Sequence, residues 1–122
     1  MTWQRPALIG ARVLIGLLFA AGAVQKALDP DPAAALLQGF GLPGFLIWPA
    51  LLYNAGAALA LFAGWRVAPV ALSLAAYCAV TSIFHLIPDD PWQMSIFVKN
   101  WAIAGGCLAL AVAANAAFKS GS

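Results

Sequence analysis

Residues 8–28 read LIGARVLIGLLFAAGAVQKAL and are followed at once by Asp29-Pro30-Asp31-Pro32. The hydrocarbon core of a bilayer is about 30 Å thick and takes about 20 helical residues to cross. This run has that length. Its only polar side chains are Arg12 near one end and Gln25 and Lys26 near the other. The Asp-Pro pairs after Leu28 disfavour helical backbone and end it. Because Arg5 precedes the run and Ala20-Ala21-Gly22-Ala23 lies within it, a cleavable secretion signal is the competing reading. Such signals have apolar cores of about 7–15 residues, and Arg12 would interrupt this one. The stretch is therefore read as a retained first membrane span.

Three further stretches of the same kind follow: about 45–65, about 67–87 and about 95–118. Gly39-Phe40-Gly41-Leu42-Pro43-Gly44 precedes the second, and Pro88-Asp89-Asp90-Pro91 closes the third. Pro69 fits the first turn of the third helix, where its missing N–H is not needed. Residues Ala33 to Gln38 are expected to form a short helix after the Asp31-Pro32 start signal. That helix either lies at the interface or tucks into the mouth of the bundle. The totals agree: 64% of the 122 residues are hydrophobic, 8% are charged, and the mean hydropathy is +0.91. Soluble domains are about half apolar and about a quarter charged. The expected fold is all-α: one membrane four-helix bundle occupying residues 1–122.

Charge gives the bundle a direction. Arg5, Arg12, Arg66 and Lys119 occupy the N-terminus, the link between spans two and three, and the C-terminus, with no acidic residue among them. Asp29, Asp31, Asp89 and Asp90 occupy the other two loops, with Lys26 and Lys99 at their edges. The positive-inside rule then puts both termini in the cytoplasm, with the four basic residues as topology determinants. Trp3, Trp48, Trp65 and Trp92 fall at span ends, as an interfacial aromatic belt requires. Small residues recur at Gly16, Ala20, Ala23 and Ala27, at Gly56, Ala60 and Gly64, and at Gly105, Ala109 and Ala113. Such faces let helices approach closely.

Ionisable groups within spans are costly and usually face a partner or a cavity. Gln25, Lys26, His85, Lys99 and Asn100 all fall within about a turn of the acidic-loop ends of their spans, which makes one polar layer beneath that interface. Cys78, Thr81, Ser82 and His85 follow an i, i+3, i+4, i+7 spacing and share a face. Asn54 stands near mid-span, where a buried amide needs a partner on a neighbouring helix. Blander roles are available to each: Lys26 and Lys99 can snorkel to the headgroups, His85 can cap its helix or pair with Asp89 or Asp90, and Thr81 and Ser82 can bond to their own helix. Taken together, the layer offers hydrogen bonds to the carbonyl oxygens of an amphiphile, and a quinone has that chemistry. A histidine exchanges protons near neutral pH, with Asp89 or Asp90 as a relay to water. Gln25 and Asn54 complete the candidate ligand set.

Other chemistries find no support. Cys78 and Cys107 match neither a CxxC motif nor a zinc knuckle and read as buried small hydrophobes. A single span histidine cannot make a bis-histidine haem site, and no Gly-rich phosphate loop or metal cluster occurs. The net charge of +2 is small and scattered, which argues against nucleic acid as a partner. No catalytic centre complete within the chain is expected.

Several segments together resemble one known family. Arg12, Gly16-Leu17-Leu18-Phe19, Gly22 and Lys26 resemble the opening span of the DoxX family of small bacterial membrane proteins. Gly39-Phe40 with Pro43, Gly56 to Gly64 with Arg66, Phe84-His85, and Phe97-Val98-Lys99-Asn100 before Gly105-Gly106 are similar to its later segments, in order. The resemblance implies a four-helix inner-membrane protein. It also implies a redox setting, since the family takes its name from the small membrane subunit of a thiosulfate:quinone oxidoreductase and other members are linked to oxidative-stress complexes. Family members often carry glutamate where this chain has Asn54, and an amide cannot exchange a proton as a carboxylate does. The leading expectation is a redox-associated membrane subunit that binds a quinone or similar lipid and works with other membrane or redox subunits. The alternatives are a structural or assembly subunit of a larger complex and, third, a small-solute transporter with Asn54, Ser73 and the Cys78–Ser82 face as its mid-span polar groups.

Overall fold

A computed structural model of the protein describes residues 3–121, with side chains through Ala117; the side chain of Lys119, expected to help set topology, lies outside the described residues. The helices are α1 (Gln4–Leu28), α2 (Asp31–Gly39), α3 (Ile47–Ala63), α4 (Val67–Thr81) and α5 (Pro91–Gly121). Single 3-10 turns, Gly44–Leu46 and Ser82–His85, extend α3 at its start and α4 at its end. No strand occurs among the described residues. Among the described residues, four helical segments are long and apolar enough to cross a membrane: Gln4–Leu28, Gly44–Ala63, Val67–His85 and Pro91–Ala117.

Local chemistry sets the helix boundaries. Pro6, Pro32, Pro49, Pro69 and Pro91 all lie in first turns, where no intrahelical N–H bond is lost. The fourth span starts a turn earlier than the expected Ser95, because Asp90 caps it. Its carboxylate Oδ1 accepts from the backbone N–H of Trp92 at 3.0 Å and of Gln93 at 3.3 Å, and Pro91 takes the first helical position. Two helices end by one device. Gly41 and Gly64 adopt left-handed φ of 76° and 74°. The following residues close the turn, Leu42 N–H on the Leu37 carbonyl at 3.0 Å and Trp65 N–H on the Ala60 carbonyl at 2.9 Å. This is the Schellman arrangement, which satisfies carbonyls the helix leaves over. Arg66, also left-handed at φ 50°, completes the tight link into α4.

Packing is pairwise: α1 lies mainly against α3, and α4 mainly against α5. The buried core is rich in small residues, Ala57, Ala58, Ala71, Ala75, Ala104 and Ala111, set around Phe19, Leu61, Leu74 and Leu110. Cys78 and Cys107 are free thiols inside that core. Large apolar side chains such as Leu14, Leu52, Leu59 and Val112 point outward, as lipid-facing residues of a bundle do. Trp3, Trp48, Trp65 and Trp92 are exposed near helix ends. The short helix α2 buries no residue fully, and the Phe40 ring just after it meets Phe84 edge-on at 5.3 Å.

Of the three small-residue stripes, only the first is largely used for packing. Gly16 abuts the Phe62 ring so closely that a Cβ there would lie 2.6 Å from it, and Ala23 is buried while Ala27 is exposed. In α3, Ala60 is buried but Gly56 is exposed with open space beside it. In α5, Gly105, Ala109 and Ala113 are exposed. The adjacent stripe of Ala104, Cys107 and Ala111 faces the core instead, on the helix that packs mainly against α4.

Gly64→Ala is expected to lower stability by about 1–2 kcal/mol, read as a drop in thermal midpoint in detergent. Asp90→Ala is expected to cost about 1 kcal/mol and Asp90→Asn much less, since asparagine caps nearly as well.

Candidate functional site

Of the three cations on α1, Arg5, Arg12 and Lys26, the last two reach α3. At one end Arg12 Nε donates to the Leu61 carbonyl at 3.0 Å. That oxygen also receives the Gly64 N–H at 3.3 Å, so the guanidinium extends the helix-ending motif of α3. A Cβ on Gly64 would lie 2.9 Å from Arg12 Nη1, so glycine is needed there for space as well as for φ.

Toward the other end, Lys26 Nζ donates to Asn54 Oδ1 at 3.1 Å. This supplies the cross-helix partner that a buried amide requires. Asn54 is 2% exposed. Side chains on a helix lean toward its N-terminus. For Lys26, close to the C-terminal end of α1, that lean carries the amine away from the acidic loops and back along the span. Gly22, one turn earlier, lies beside the pair: a Cβ there would be in ordinary contact, 3.8 Å from both Lys26 Nζ and Asn54 Oδ1. Lys99 has the opposite situation. It lies near the N-terminal end of α5, leans toward the acidic loops, and is exposed.

Asn54 Nδ2 is buried and makes no well-aligned hydrogen bond; the Tyr77 side chain lies within its reach. Leaving a buried donor unsatisfied costs about 1–3 kcal/mol, and the Tyr77 hydroxyl is the acceptor close to this atom. Aromatic rings lie close by: Tyr77 packs against Phe19 with ring centres 6.2 Å apart and against Tyr53 at 5.1 Å. The Tyr53 hydroxyl is 2.6 Å from Ser73 Oγ, which in turn donates to the Val70 carbonyl.

The expected polar layer divides. Lys26 and Asn54 come together as one unit. His85 Nδ1 pairs with Gln93 Oε1 at 2.6 Å, tying the 3-10 turn to the first turn of α5. Gln25 and Lys99 are exposed, and Asn100 is partly buried. Among the described residues no hydrogen bond joins the His85 pair to the Lys26 pair. Thr81 and Ser82 bond back to the Tyr77 and Ala79 carbonyls at 2.7 and 2.6 Å, and the α-helix gives way to the 3-10 turn there. Asp89 is exposed, and Asp90 spends its carboxylate on the α5 cap. Gln93, Tyr53 and Tyr77 were not singled out from sequence. For Gln93 there was a signal, an acidic residue three positions before a glutamine, which is the pattern of a capping box.

At the acidic-loop end an open, almost wholly apolar groove of about 770 Å³ is lined by Phe40, Phe84, Phe97 and Trp101 among others. At the opposite end a larger groove of about 1660 Å³ is lined by Arg5, Arg12, Arg66 and parts of α1, α4 and α5.

The fold and these ties define a small multi-pass helical membrane protein whose first two spans are joined by polar bonds. A family model, DoxX, matches residues 7–86, and the chain belongs to the DoxX family. It is also 28% identical over 109 residues to the inner membrane protein YqjF of Escherichia coli (strain K12), covering 88% of this chain and 84% of that protein. No solved structure matches.

Breaking the Lys26–Asn54 bond from one side leaves the other group unpaired. Asn54→Leu is expected to destabilise the protein by about 1–3 kcal/mol. Adding Lys26→Met should recover much of that loss, as apolar replacements of buried charged groups often do. Thermal unfolding of the two single variants and the double variant in one detergent measures the coupling.

Proposed function

We propose that the chain is a DoxX-family subunit of the bacterial inner membrane that works with a redox partner and holds a quinone or similar carbonyl-bearing lipid. Both termini lie in the cytoplasm, so the acidic loops, α2 and the aromatic groove belong to the outer side. In this arrangement α2 lies along the outer interface, with its Phe40 end anchored on Phe84.

The buried Lys26–Asn54 pair between α1 and α3 carries the reading. Together they present N–H donors to a region framed by tyrosine rings, and ring carbonyls are acceptors that suit them. The apolar groove walled by Phe84, Phe97 and Trp101 is lined by neither Lys26 nor Asn54 and would offer a hydrocarbon tail a resting surface at the same end of the bundle. His85, Lys99 and Asn100 stand at that end, where a headgroup would enter, and Asp89 remains available to exchange protons with water. A quinone would supply two-electron chemistry when bound; the protein residues hold its carbonyls and limit water. The redox partner is a separate chain, since the described loops are too short to hold a soluble active site.

The alternative is a structural or assembly subunit. Its support is the outward Gly105, Ala109 and Ala113 face of α5, which suits close docking of another helix. Extraction of lipids from protein purified from native membranes separates the two readings. The quinone reading expects a bound quinone, lost in Lys26→Met/Asn54→Leu but kept in Gln25→Ala. A companion complex that co-purifies with no quinone, from wild type and variant alike, establishes the assembly role instead.

A further inference from the structure

The basic end of the bundle carries three arginines that neither the quinone reading nor the assembly reading uses. Arg5 and Arg12 are seven residues apart on α1, which puts them on one side of the helix. Both line the large groove together with Arg66 from the α3–α4 turn. The four acidic side chains, Asp29, Asp31, Asp89 and Asp90, all belong to the loops at the far end. None is available to neutralise these arginines.

The guanidiniums are held but not satisfied. Arg12 uses Nε on the Leu61 carbonyl, and its Nη1 and Nη2 lie beside Gly64 with no hydrogen bond among the described residues. Arg66 is fixed by its left-handed backbone and by stacking on Trp65, with Cζ 5.3 Å from the ring centre. Arg5 is exposed. The groove is lined as well by Gly106, Ala109, Ala113 and Asn115 of α5, mostly small side chains along which an acyl chain can lie.

We propose that this groove is a binding site for an anionic phospholipid, with the phosphodiester between the three arginines and an acyl chain along α5. Charge complementarity selects the occupant. Arginine presents forked donors that match phosphate oxygens, and basic pockets between spans are suited to acidic lipid headgroups. A zwitterionic lipid would bring its own cation into a site that already holds three.

The test uses the full chain, purified and delipidated in mild detergent, with phosphatidylglycerol, phosphatidylcholine or inorganic phosphate added separately. Phosphatidylglycerol is expected to raise the thermal midpoint and to stay bound in native mass spectra, while phosphatidylcholine and inorganic phosphate do neither. The variant Arg5→Gln/Arg66→Asn spares the Arg12–Leu61 bond and keeps a residue at position 66 that tolerates left-handed backbone. Loss of two charges should weaken phosphatidylglycerol binding roughly thirtyfold, with the midpoint in phosphatidylcholine unchanged. Equal stabilisation of the wild type by both lipids overturns the proposal, as does full retention of phosphatidylglycerol by the variant. An equal shift with inorganic phosphate shows an oxyanion site with no part for the acyl chain, and overturns it too. If the variant does not fold, the comparison of lipids on the wild type decides alone.

Discussion

An amine surrounded by hydrocarbon must find an oxygen, and the pairing of α1 with α3 is organised around that need. Lys26 takes the amide oxygen of Asn54, and Arg12, farther along the same helix, takes a backbone carbonyl at the end of α3. The two bonds bracket the contact of Gly16 with Phe62. Dispersion between small residues can bring two helices together, but it tolerates sliding. Polar ties at two heights fix register and rotation at once. Among the described residues, the tie of this kind between the α4 side and α5 joins His85 of the 3-10 turn to Gln93 at one end, and an alanine and cysteine seam supplies the rest.

This arrangement shows how tertiary structure and helix termination can share atoms. The Leu61 carbonyl is one that α3 cannot satisfy within itself. It accepts a turn N–H and the Arg12 guanidinium together, so the link to α4 and the packing of α1 are set at one oxygen. Arginine near the end of a span is usually explained by topology. Here it also bonds the helix that follows.

The spans were legible in the sequence because length, hydropathy and proline placement all bear on a single one-dimensional question. The glycine-rich break around Gly41 could be read for a similar reason, whereas Gly64, which ends α3, reads in the sequence as part of a small-residue stripe. The candidate site was only partly legible. Depth along a span follows from counting residues, and that placed Lys26, His85, Lys99 and Asn100 near one surface. Which way a side chain turns depends on the partner helix, and no periodicity reports that. Hence Asn54 could be recognised as needing a partner, while its partner could not be named. The outward turn of the Gly105 stripe was hidden for the same reason: two small-residue faces lie side by side on α5, and only packing against α4 selects between them.

The opposite leans of Lys26 and Lys99 imply different sensitivities to bilayer thickness. Lys99 points toward the nearer surface, so its amine follows the headgroup plane as a membrane thins or thickens. Lys26 points away from that surface and is anchored to Asn54, so its environment is set by the protein. Two lysines at similar distances from one face thus divide between a contact that adjusts to the host membrane and one that is indifferent to it.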